Sequence, residues 1–344
     1  MTEVVLPGIV EPEGLLLRSR PLPEPGPGQA LVRVEASGVS FAEQGMRRGR
    51  YPGQPRFPFV PGYDLVGVVA AVGEGTDPAL LGTRVAALTK TGGWATHAVR
   101  PAADLVPVPD GVDPAEAETV VVNGLTASQM LRRAHVRSGG TVLVHGANGG
   151  VGSLLVQLAE RAGLRVIGSA SPRHHEALRA AGVEPVDYGD LPGLAARVRA
   201  LAPGGVDAVF DNVGGPTLRC SWRLLARGGT LVSYGIASGV DARRSMLSQF
   251  ATHLPRLLWW SLLPNGRSTT FYDVWAGHRL RPARFRARLH RDLGALLALL
   301  ADGSLRPIVA ARFPLTEIAA AMRQAESRTV PGKVVVLPEQ PVRP

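Results

Sequence analysis

The feature that most constrains this chain is a glycine-rich turn between a short apolar strand and an apolar helix. Residues 141–145 read TVLVH, residues 146–152 read GANGGVG, and a helix is predicted over Ser153–Ala162. Such a turn exposes backbone N–H groups at a helix N-terminus, where the positive end of the helix dipole binds a pyrophosphate. Glycine is needed because a Cβ would block both the left-handed backbone and the approach of the phosphate. The turn therefore predicts a dinucleotide site, with a plain strand–turn–helix joint as the less favoured alternative.

The elements around this turn alternate between strand and helix. Strands are predicted at Thr141–His145, Arg165–Gly168, around Val186, at Ala208–Asp211 and at Thr230–Tyr234, with helices between them. This alternation is typical of an α/β fold with a doubly wound parallel sheet. Before about residue 120, short β-type runs separated by Pro and Gly predict a small antiparallel barrel or sandwich instead.

Length and charge restrict the class of protein further. At 344 residues the chain exceeds the roughly 250–300 residues at which a single hydrophobic core stops growing, so two domains are expected. The net charge of +10 comes almost entirely from arginine, since Lys90 and Lys333 are the only lysines. Such a charge affects encounter and solubility rather than fold. Because no RNA-binding module and no aromatic–basic alternation is present, a nucleic-acid partner is not expected.

Cysteine content and hydropathy bear on the compartment. The single cysteine, Cys220, excludes an internal disulfide and a four-cysteine structural zinc site, so we expect a reducing, cytoplasmic environment. The first residues lack the basic start and apolar core of a signal peptide. The most apolar short stretch, Leu254–Leu263, is well below the roughly 20 residues that span a bilayer. No membrane association is expected.

The end of the second predicted strand indicates which dinucleotide is bound. A site for NAD places Asp or Glu there to bind the ribose 2′-hydroxyl. This chain has Ala170 at that position, followed by Ser171 and Arg173. A small hydroxyl and a guanidinium suit a 2′-phosphate through charge-assisted hydrogen bonds, so NADPH is predicted as the cofactor. In the alternative interpretation, Arg173 merely starts an exposed helix.

Six short motifs together resemble one protein superfamily. They are ASGVS at 36–40, VPGYDLVG at 60–67, NGLTA at 123–127, GGVG at 149–152, FDNVGG at 210–215 and PGKVV at 331–335. Their order and spacing resemble the medium-chain dehydrogenase/reductase superfamily, and most closely its zinc-free quinone oxidoreductase branch, which includes zeta-crystallin. The resemblance covers essentially the whole chain.

The resemblance implies domains and cofactor contacts. Residues 1–120 and 276–344 would form a GroES-like β-barrel catalytic domain, and 121–275 a Rossmann NADP-binding domain. The implied contacts are Asn148, Gly149, Gly150, Val151 and Gly152 with the pyrophosphate, Ser171, Arg173 and Tyr188 with the adenosine phosphate, Asn212 and Val213 with the nicotinamide ribose, and Lys333 from the catalytic domain. An ordinary half-buried tyrosine and a solvated strand end remain the alternatives for Tyr188 and Lys333.

The resemblance also bears on the reaction. Zinc-dependent members of the superfamily use a cysteine and a Gly-His-Glu segment, whereas this chain has Ser40 and Gly62-Tyr63-Asp64 at those places. Tetrahedral zinc prefers sulfur or imidazole ligands, so zinc is not expected. The resemblance then implies NADPH-dependent hydride transfer to a quinone or an α,β-unsaturated carbonyl. Tyr63, Tyr51 and Ser40 are the candidate hydrogen-bond donors to the substrate oxygen, and Tyr63 ranks first because it replaces a metal ligand. Tyr51 as a loop anchor stays an alternative, and Glu43 is assigned no catalytic role.

Other functions and partners remain open from the sequence. One alternative is a nucleotide-retaining binding protein, because zeta-crystallin-like members associate with AU-rich RNA, and another is a biosynthetic member whose cofactor is redox-silent. A homodimer is expected by resemblance. The aromatic segment from Gly239 to Arg288 is predicted either to cover a large flat substrate or to contact a second subunit.

Overall fold

The structure is a computed structural model that describes residues 1–236 and 246–338. Its strands are β1 Thr2–Val5, β2 Leu16–Ser19, β3 Gln29–Val39, β4 Asp64–Val72, β5 Arg84–Leu88, β6 His97–Pro101, β7 Val106–Pro107, β8 Thr141–His145, β9 Arg165–Ala170, β10 Glu184–Asp187, β11 Val206–Asp211, β12 Leu225–Ser233, β13 Ser268–Phe271, β14 Val309–Pro314 and β15 Lys333–Leu337. Its α-helices are α1 Phe41–Arg47, α2 Pro114–Thr119, α3 Leu125–Ala134, α4 Gly150–Arg161, α5 His175–Ala180, α6 Leu191–Leu201, α7 Gly215–Leu224, α8 Met246–Ser261, α9 Pro282–Ala301 and α10 Ile318–Ser327.

The chain divides into two compact units. Unit 1 is Met1–Leu125 together with Gly277–Pro344, and unit 2 is Thr126–Ala276. In unit 1, β3 is the central strand, since β4, β6 and β15 all pair with it in antiparallel register. The β14–β15 pair is parallel, and β1 and β2 form a separate antiparallel ribbon. One apolar cluster of this unit lies between its strands and contains Ala30, Val32, Val34, Leu65, Val69, Val85, Ala87, Ala98 and Leu105.

Unit 2 is built on a six-stranded sheet in which every pair is parallel, confirming the predicted doubly wound fold class. The order is β10-β9-β8-β11-β12-β13, so within the unit the strands run 3-2-1-4-5-6. The order reverses between β8 and β11, where doubly wound sheets bind ligands outside the carboxyl ends of the strands. Because Val144 pairs with Phe210, the residues that follow these two strands begin side by side at that edge.

Two local predictions differ from the structure. The helix predicted over Glu116–Ala134 is three pieces, because a π-helical segment, Val120–Gly124, separates α2 from α3. Its three consecutive valines are poor helix formers, and π-bulges occur inside helices where packing or function requires an extra residue. Strand β13 was not predicted, because Ser268, Thr269 and Thr270 carry no apolar alternation.

The predicted aromatic segment is partly visible. Of its first residues, 239–245 lie outside the described residues. Trp260 stacks on Trp222 with ring centroids 5.2 Å apart, and Phe250 meets Phe271 edge to face at 5.6 Å, whereas Trp259 is 63% exposed. Trp260 and Phe271 both pack against the apolar core of unit 2. Over the two stretches that the structure covers, no helix combines the length and apolarity needed to cross a membrane.

Gly62 enforces the turn that leads into β4. It has a φ of +103°, and a Cβ there would overlap the backbone of Gly93 and Trp94. Its carbonyl accepts hydrogen bonds from Gly93 N at 3.1 Å and from the Thr89 hydroxyl at 2.7 Å. The left-handed conformation and the close approach of another backbone segment both require glycine at this position.

Replacing Gly62 by alanine is therefore expected to lower the free energy of unfolding of unit 1 by roughly 1–3 kcal/mol or more, since backbone strain and overlap add. Gly75→Ala is the matched control, because Gly75 also has a positive φ, +71°, but open space around its Cβ position. Urea unfolding followed by circular dichroism measures both. Equal losses in the two variants would show that conformation alone, and not the contact with Gly93 and Trp94, requires glycine at position 62.

Candidate functional site

In unit 1 the structure brings together the two predicted tyrosines. Their phenol oxygens lie 2.6 Å apart, and the rings meet edge to face with centroids 5.9 Å apart. Tyr63 is only 4% exposed and Tyr51 is half-buried. A hydrogen bond between two phenols lets one of them donate outward while its oxygen accepts from the other. The pair can therefore direct one hydroxyl proton outward while the other proton joins the two phenol oxygens.

A buried carboxylate holds this pair in register with the third candidate, Ser40. Glu43 Oε1 accepts a hydrogen bond from Tyr63 N at 2.6 Å, and Oε2 accepts from Ser40 N at 2.9 Å and from the Ser40 hydroxyl. Ser40 and Glu43 form the capping box that begins α1. Glu43 was not predicted to have a role in catalysis, but the structure shows that it ties the Ser40 segment to the Tyr63 segment.

Next to Glu43 and its hydrogen bonds lies a buried ion cluster around Lys333. Its Nζ is 2.7 Å from Asp64 Oδ2 and 2.6 Å from Glu118 Oε1, and all three side chains are inaccessible or nearly so. Asp64 Oδ2 also accepts from Val122 N at 3.2 Å. The alternative of a solvated strand end is thus wrong for Lys333, because its ammonium is occupied by two carboxylates within unit 1. Its contact with a cofactor stays a prediction.

The charges of this cluster shift one another's protonation. Burial, and then repulsion from Asp64, raises the pKa of Glu118 well above its usual value. Burial alone would lower the pKa of Lys333, but attraction to Asp64 and Glu118 outweighs it and raises that pKa. Burial, and then Asp64, also raises the pKa of Glu43. Among the described residues, Asp64 Oδ1 and Glu118 Oε2 are buried without a hydrogen-bond donor. These oxygens can bind the proton that Glu118 tends to keep, because its pKa is raised.

In unit 2 the predicted glycine turn begins α4 as expected. Gly149 is the N-cap of α4, Gly150 is its first residue, and no side chain of the described residues caps the helix. A Cβ on Gly152 would overlap the Gly146 carbonyl oxygen, so this glycine lets helix and turn pack closely. The first N–H groups of the helix are thus left for an anion. Asn148, Gly150 and Val151 lie in or directly after this turn.

The loop that follows β11 lies beside the glycine turn, at the carboxyl edge of the sheet. Asp211 Oδ1 accepts from Val213 N and Gly214 N, each at 2.8 Å, which shapes the loop that contains Asn212 and Val213. Asn212 Nδ2 lies 3.8 Å from the position that a Cβ on Gly146 would take, so the two loops are adjacent. Within the part of the chain that the structure describes, Asn212 Oδ1 is buried without a hydrogen-bond partner. An orphaned buried acceptor beside a glycine turn fits a ligand hydroxyl or amide.

The residues predicted to bind the adenosine phosphate follow β9 and β10, at the same carboxyl edge of the sheet. Ala170 ends β9 and pairs with Asp187 at the end of β10, so Ser171 and Tyr188 emerge from neighbouring strands. Tyr188 is 55% exposed, and the Arg173 Nε is 3.1 Å from His174 Nε2. A serine, an arginine and a tyrosine at two adjacent strand ends suit a phosphate.

The donor set of unit 1 does not suit zinc. The resemblance places Ser40 and Tyr63 at metal-ligand positions, and there they present a hydroxyl and a phenol, each hydrogen-bonded to another side chain. Neither is a thiolate or an imidazole, the ligands that zinc sites use beside carboxylates. Within residues 1–236 and 246–338, no cluster of three or more His, Cys, Asp or Glu side chains is arranged to hold a metal.

The residues that support these groups were not predicted from the sequence. They are Glu43, Asp64 and Glu118 in unit 1 and His145, Ser169, Asp211 and Ser221 in unit 2. The capping-box spacing of Ser40 and Glu43 was a readable signal for one of them. Asp211 also acts locally, on the amides two and three residues ahead of it. The other five are matched with partners far away in the sequence and carry no local pattern.

Comparison with protein families gives two matches. Residues 26–110 match the family model described as alcohol dehydrogenase GroES-like domain, and residues 182–336 match the one described as zinc-binding dehydrogenase. Among curated proteins, the synaptic vesicle membrane protein VAT-1 homolog of Rattus norvegicus is 33% identical over 353 residues, covering 97% of this chain and 83% of that protein.

Two solved structures show the same fold over the whole chain. A mycobacterial protein solved as a complex with NADPH aligns with a TM-score of 0.83 at 30% identity, covering 98% of this chain and 100% of that one. The quinone oxidoreductase from Thermus thermophilus, also solved as its complex with NADPH, aligns with a TM-score of 0.76 at 35% identity and the same coverage. The fold is therefore a Rossmann-type unit with a GroES-like unit, as predicted.

The ion cluster generates a prediction about stability and pH. Lys333→Met leaves Asp64 and Glu118 buried without a cation, so the free energy of unfolding should fall by about 3–5 kcal/mol at neutral pH. The folded-state pKa of Glu118, already raised, should rise further when its cation is removed. A carboxyl with a raised folded-state pKa stabilises the fold while protonated and loses that contribution as pH rises. The deficit should therefore be smaller at pH 5 than at pH 8, as measured by urea unfolding.

Lys90→Met is the control, because it removes the chain's other lysine outside the cluster, and it should change stability by no more than about 0.5 kcal/mol. Adding Asp64→Asn to Lys333→Met should restore part of the loss. If the loss of unfolding free energy in Lys333→Met does not depend on pH, the charge argument is wrong and the loss comes from packing alone.

Proposed function

Because this chain belongs to the zeta-crystallin-like quinone oxidoreductase branch of the medium-chain dehydrogenase/reductase superfamily, we propose that it transfers hydride from NADPH to a quinone or an α,β-unsaturated carbonyl. The observation that carries the proposal is the Tyr51–Tyr63 pair, whose phenol oxygens lie 2.6 Å apart. By the resemblance, Tyr63 replaces a metal ligand of the zinc-dependent members. An acceptor that is already electrophilic needs a hydrogen-bond donor at its oxygen rather than a metal.

The dinucleotide would be held by unit 2. The open N-terminus of α4 would take the pyrophosphate, Asn212 and Val213 the nicotinamide ribose, and Ser171, Arg173 and Tyr188 the 2′-phosphate. Lys333, whose ammonium is already paired with Asp64 and Glu118, is proposed as a further contact of the dinucleotide. When bound, NADPH supplies the hydride. The fit rests on the uncapped helix and on the orphaned Asn212 Oδ1, not on composition.

Unit 1 would supply the hydrogen-bonding groups. As a substrate gains hydride at its β-carbon or quinone ring, negative charge develops on its carbonyl oxygen. Tyr63 would donate a hydrogen bond to that oxygen, and the Tyr51 hydroxyl, which is hydrogen-bonded to Tyr63, would stabilise the resulting charge on the Tyr63 oxygen. The proton that completes the reduction would come from the tyrosine or from water. Ser40, whose hydroxyl is taken by Glu43, would assist by keeping α1 and Tyr63 in register.

The test is oxidation of NADPH by the purified protein with a panel of quinones and enones, followed at the nicotinamide absorbance. Activity with at least one acceptor, unchanged by a chelator, is expected. Failure to bind NADPH and NADH at millimolar concentration would overturn the proposal. Binding without turnover of any acceptor would favour the redox-silent alternative instead.

Tyr63→Phe should lower kcat by roughly a hundredfold with the best acceptor, because general acid groups contribute about 10²- to 10⁴-fold. Tyr51→Phe should lower kcat less, since it removes only the hydroxyl that is hydrogen-bonded to the donor, and the KM for NADPH should change in neither variant. Tyr272→Phe is the matched control, because it removes a buried phenol that binds Gln129 in unit 2. An unchanged kcat in Tyr63→Phe would exclude this tyrosine as the donor.

Arg173→Ala should weaken NADPH binding by roughly 10- to 100-fold, the equivalent of one charge-assisted hydrogen bond, and leave NADH binding unchanged. Arg179→Ala is the control, because it removes the same charge from the exposed last turn of α5. Fluorescence titration measures all four affinities. Equal weakening of NADPH and NADH would show that Arg173 does not act on the 2′-phosphate.

A further inference from the structure

His145, the last residue of β8, is a buried imidazole with both nitrogens hydrogen-bonded. Its Nδ1 lies 2.9 Å from Ser169 Oγ on β9, and its Nε2 lies 3.0 Å from Ser221 Oγ on α7. All three side chains are at most 1% exposed. Burial lowers the pKa of His145, and the Asp211 carboxylate from β11 opposes this only in part. The imidazole is therefore neutral and carries one N–H.

The direction of each hydrogen bond follows from counting protons. The single hydroxyl proton of Ser221 is donated to Asp211 Oδ2, at 2.7 Å. Ser221 Oγ must then accept from His145, which places the imidazole proton on Nε2. Nδ1 consequently carries a lone pair and accepts from the Ser169 hydroxyl. One tautomer satisfies every group.

The two ends of this chain of hydrogen bonds are the two loops at the switch point of the sheet. At one end, Ser169 binds the start of the glycine turn, since its Oγ accepts from Gly146 N at 3.4 Å and its carbonyl from Ala147 N at 3.1 Å. At the other end, Asp211 Oδ1 accepts from Val213 N and Gly214 N. His145 lies midway, and its ring joins the two halves.

We infer that His145 is a positioning residue for the dinucleotide site, holding the glycine turn and the Asn212–Gly214 loop in register through Ser169 on one side and Ser221 with Asp211 on the other. The inference rests on the proposed function, in that a dinucleotide binds at this edge. Because both ring nitrogens are engaged by serines, His145 acts only through its partners. Nothing in the sequence pattern marks it, because Ser221 lies 76 residues away.

A purely structural role and a positioning role give different results. If the network only stabilises unit 2, its loss lowers stability and leaves the affinity of the folded protein unchanged. If it positions the two loops, its loss weakens binding of the folded protein. The pyrophosphate and the nicotinamide ribose are common to NADPH and NADH, so both coenzymes should be affected by the same factor, unlike the expectation for Arg173.

The experiment is fluorescence titration of the full chain with NADPH and with NADH, for the unmodified protein, His145→Phe and His145→Gln. His145→Phe removes both hydrogen bonds and should raise both Kd values by roughly tenfold. His145→Gln retains a donor toward Ser221, so its Kd values should lie between those of the unmodified protein and those of His145→Phe. Val142→Ala, on the same strand and fully buried, is the control that lowers stability without removing a hydrogen bond, and its Kd values should match those of the unmodified protein.

A second measurement needs no coenzyme. Hydrogen exchange of the Val213 and Gly214 amides, which donate to Asp211, should be faster in His145→Phe than in Val142→Ala when the two are compared at equal stability. If His145→Phe does not fold, His145→Gln and Ser221→Ala carry both measurements, with the same direction expected.

Three outcomes would overturn the inference. Unchanged Kd values in the His145 variants would exclude a positioning role. If Val142→Ala weakens the binding of both coenzymes as much as the His145 variants do, the network only stabilises unit 2. If the unmodified protein binds neither coenzyme, the proposed function fails and this inference fails with it. Faster exchange at Val213 and Gly214 together with weaker binding of both coenzymes supports the inference, while unaltered exchange and unaltered affinity reject it and leave the proposed function intact.

Discussion

The burial of one ammonium group between two carboxylates is the interaction on which unit 1 depends. Lys333 joins β15 to residues 269 and 215 positions earlier in the sequence. A charge without such partners would be costly in this interior, and the partners would be costly without the charge. Gly38 makes the arrangement possible, because a Cβ there would overlap the Lys333 stem. Since Asp64 directly follows Tyr63, the same ion pair fixes the start of β4 and with it the phenol.

Both units use a buried carboxylate to fix loop backbone. Glu43 accepts from the amides of Ser40 and Tyr63, and Asp211 accepts from those of Val213 and Gly214. A carboxylate has two oxygens and about four acceptor sites, so one side chain can define the path of two backbone segments. Each of these acids stands behind the residues expected to meet a ligand, and neither is itself the exposed group.

The sequence was sufficient for the fold of unit 2 because its signals are local. The glycine turn, the β-branched strands and the absent carboxylate at Ala170 are each readable within a few residues. Strand β13 and the π-helical segment Val120–Gly124 were not readable, since an edge strand of Ser and Thr has no apolar alternation and valines favour no helix. The supporting groups were missed for another reason. His145 and Ser221, or Asp64 and Lys333, are matched in space by the topology, and no spacing rule connects residues so far apart.

The two polar networks differ in how they tolerate a proton. In unit 2 every hydroxyl proton from Ser169 to Asp211 is already committed, so an added proton on His145 would turn Nδ1 from an acceptor into a donor facing the Ser169 hydroxyl. In unit 1, Asp64 Oδ1 and Glu118 Oε2 find no donor among the residues that the structure covers, and the raised pKa of Glu118 favours the protonated acid. A proton held there leaves one carboxylate opposite one ammonium, which is the less costly charge state in a buried cluster. The carboxylates around Lys333 can thus bind a proton without rearranging. The hydrogen bonds around His145, in contrast, require the imidazole to be neutral.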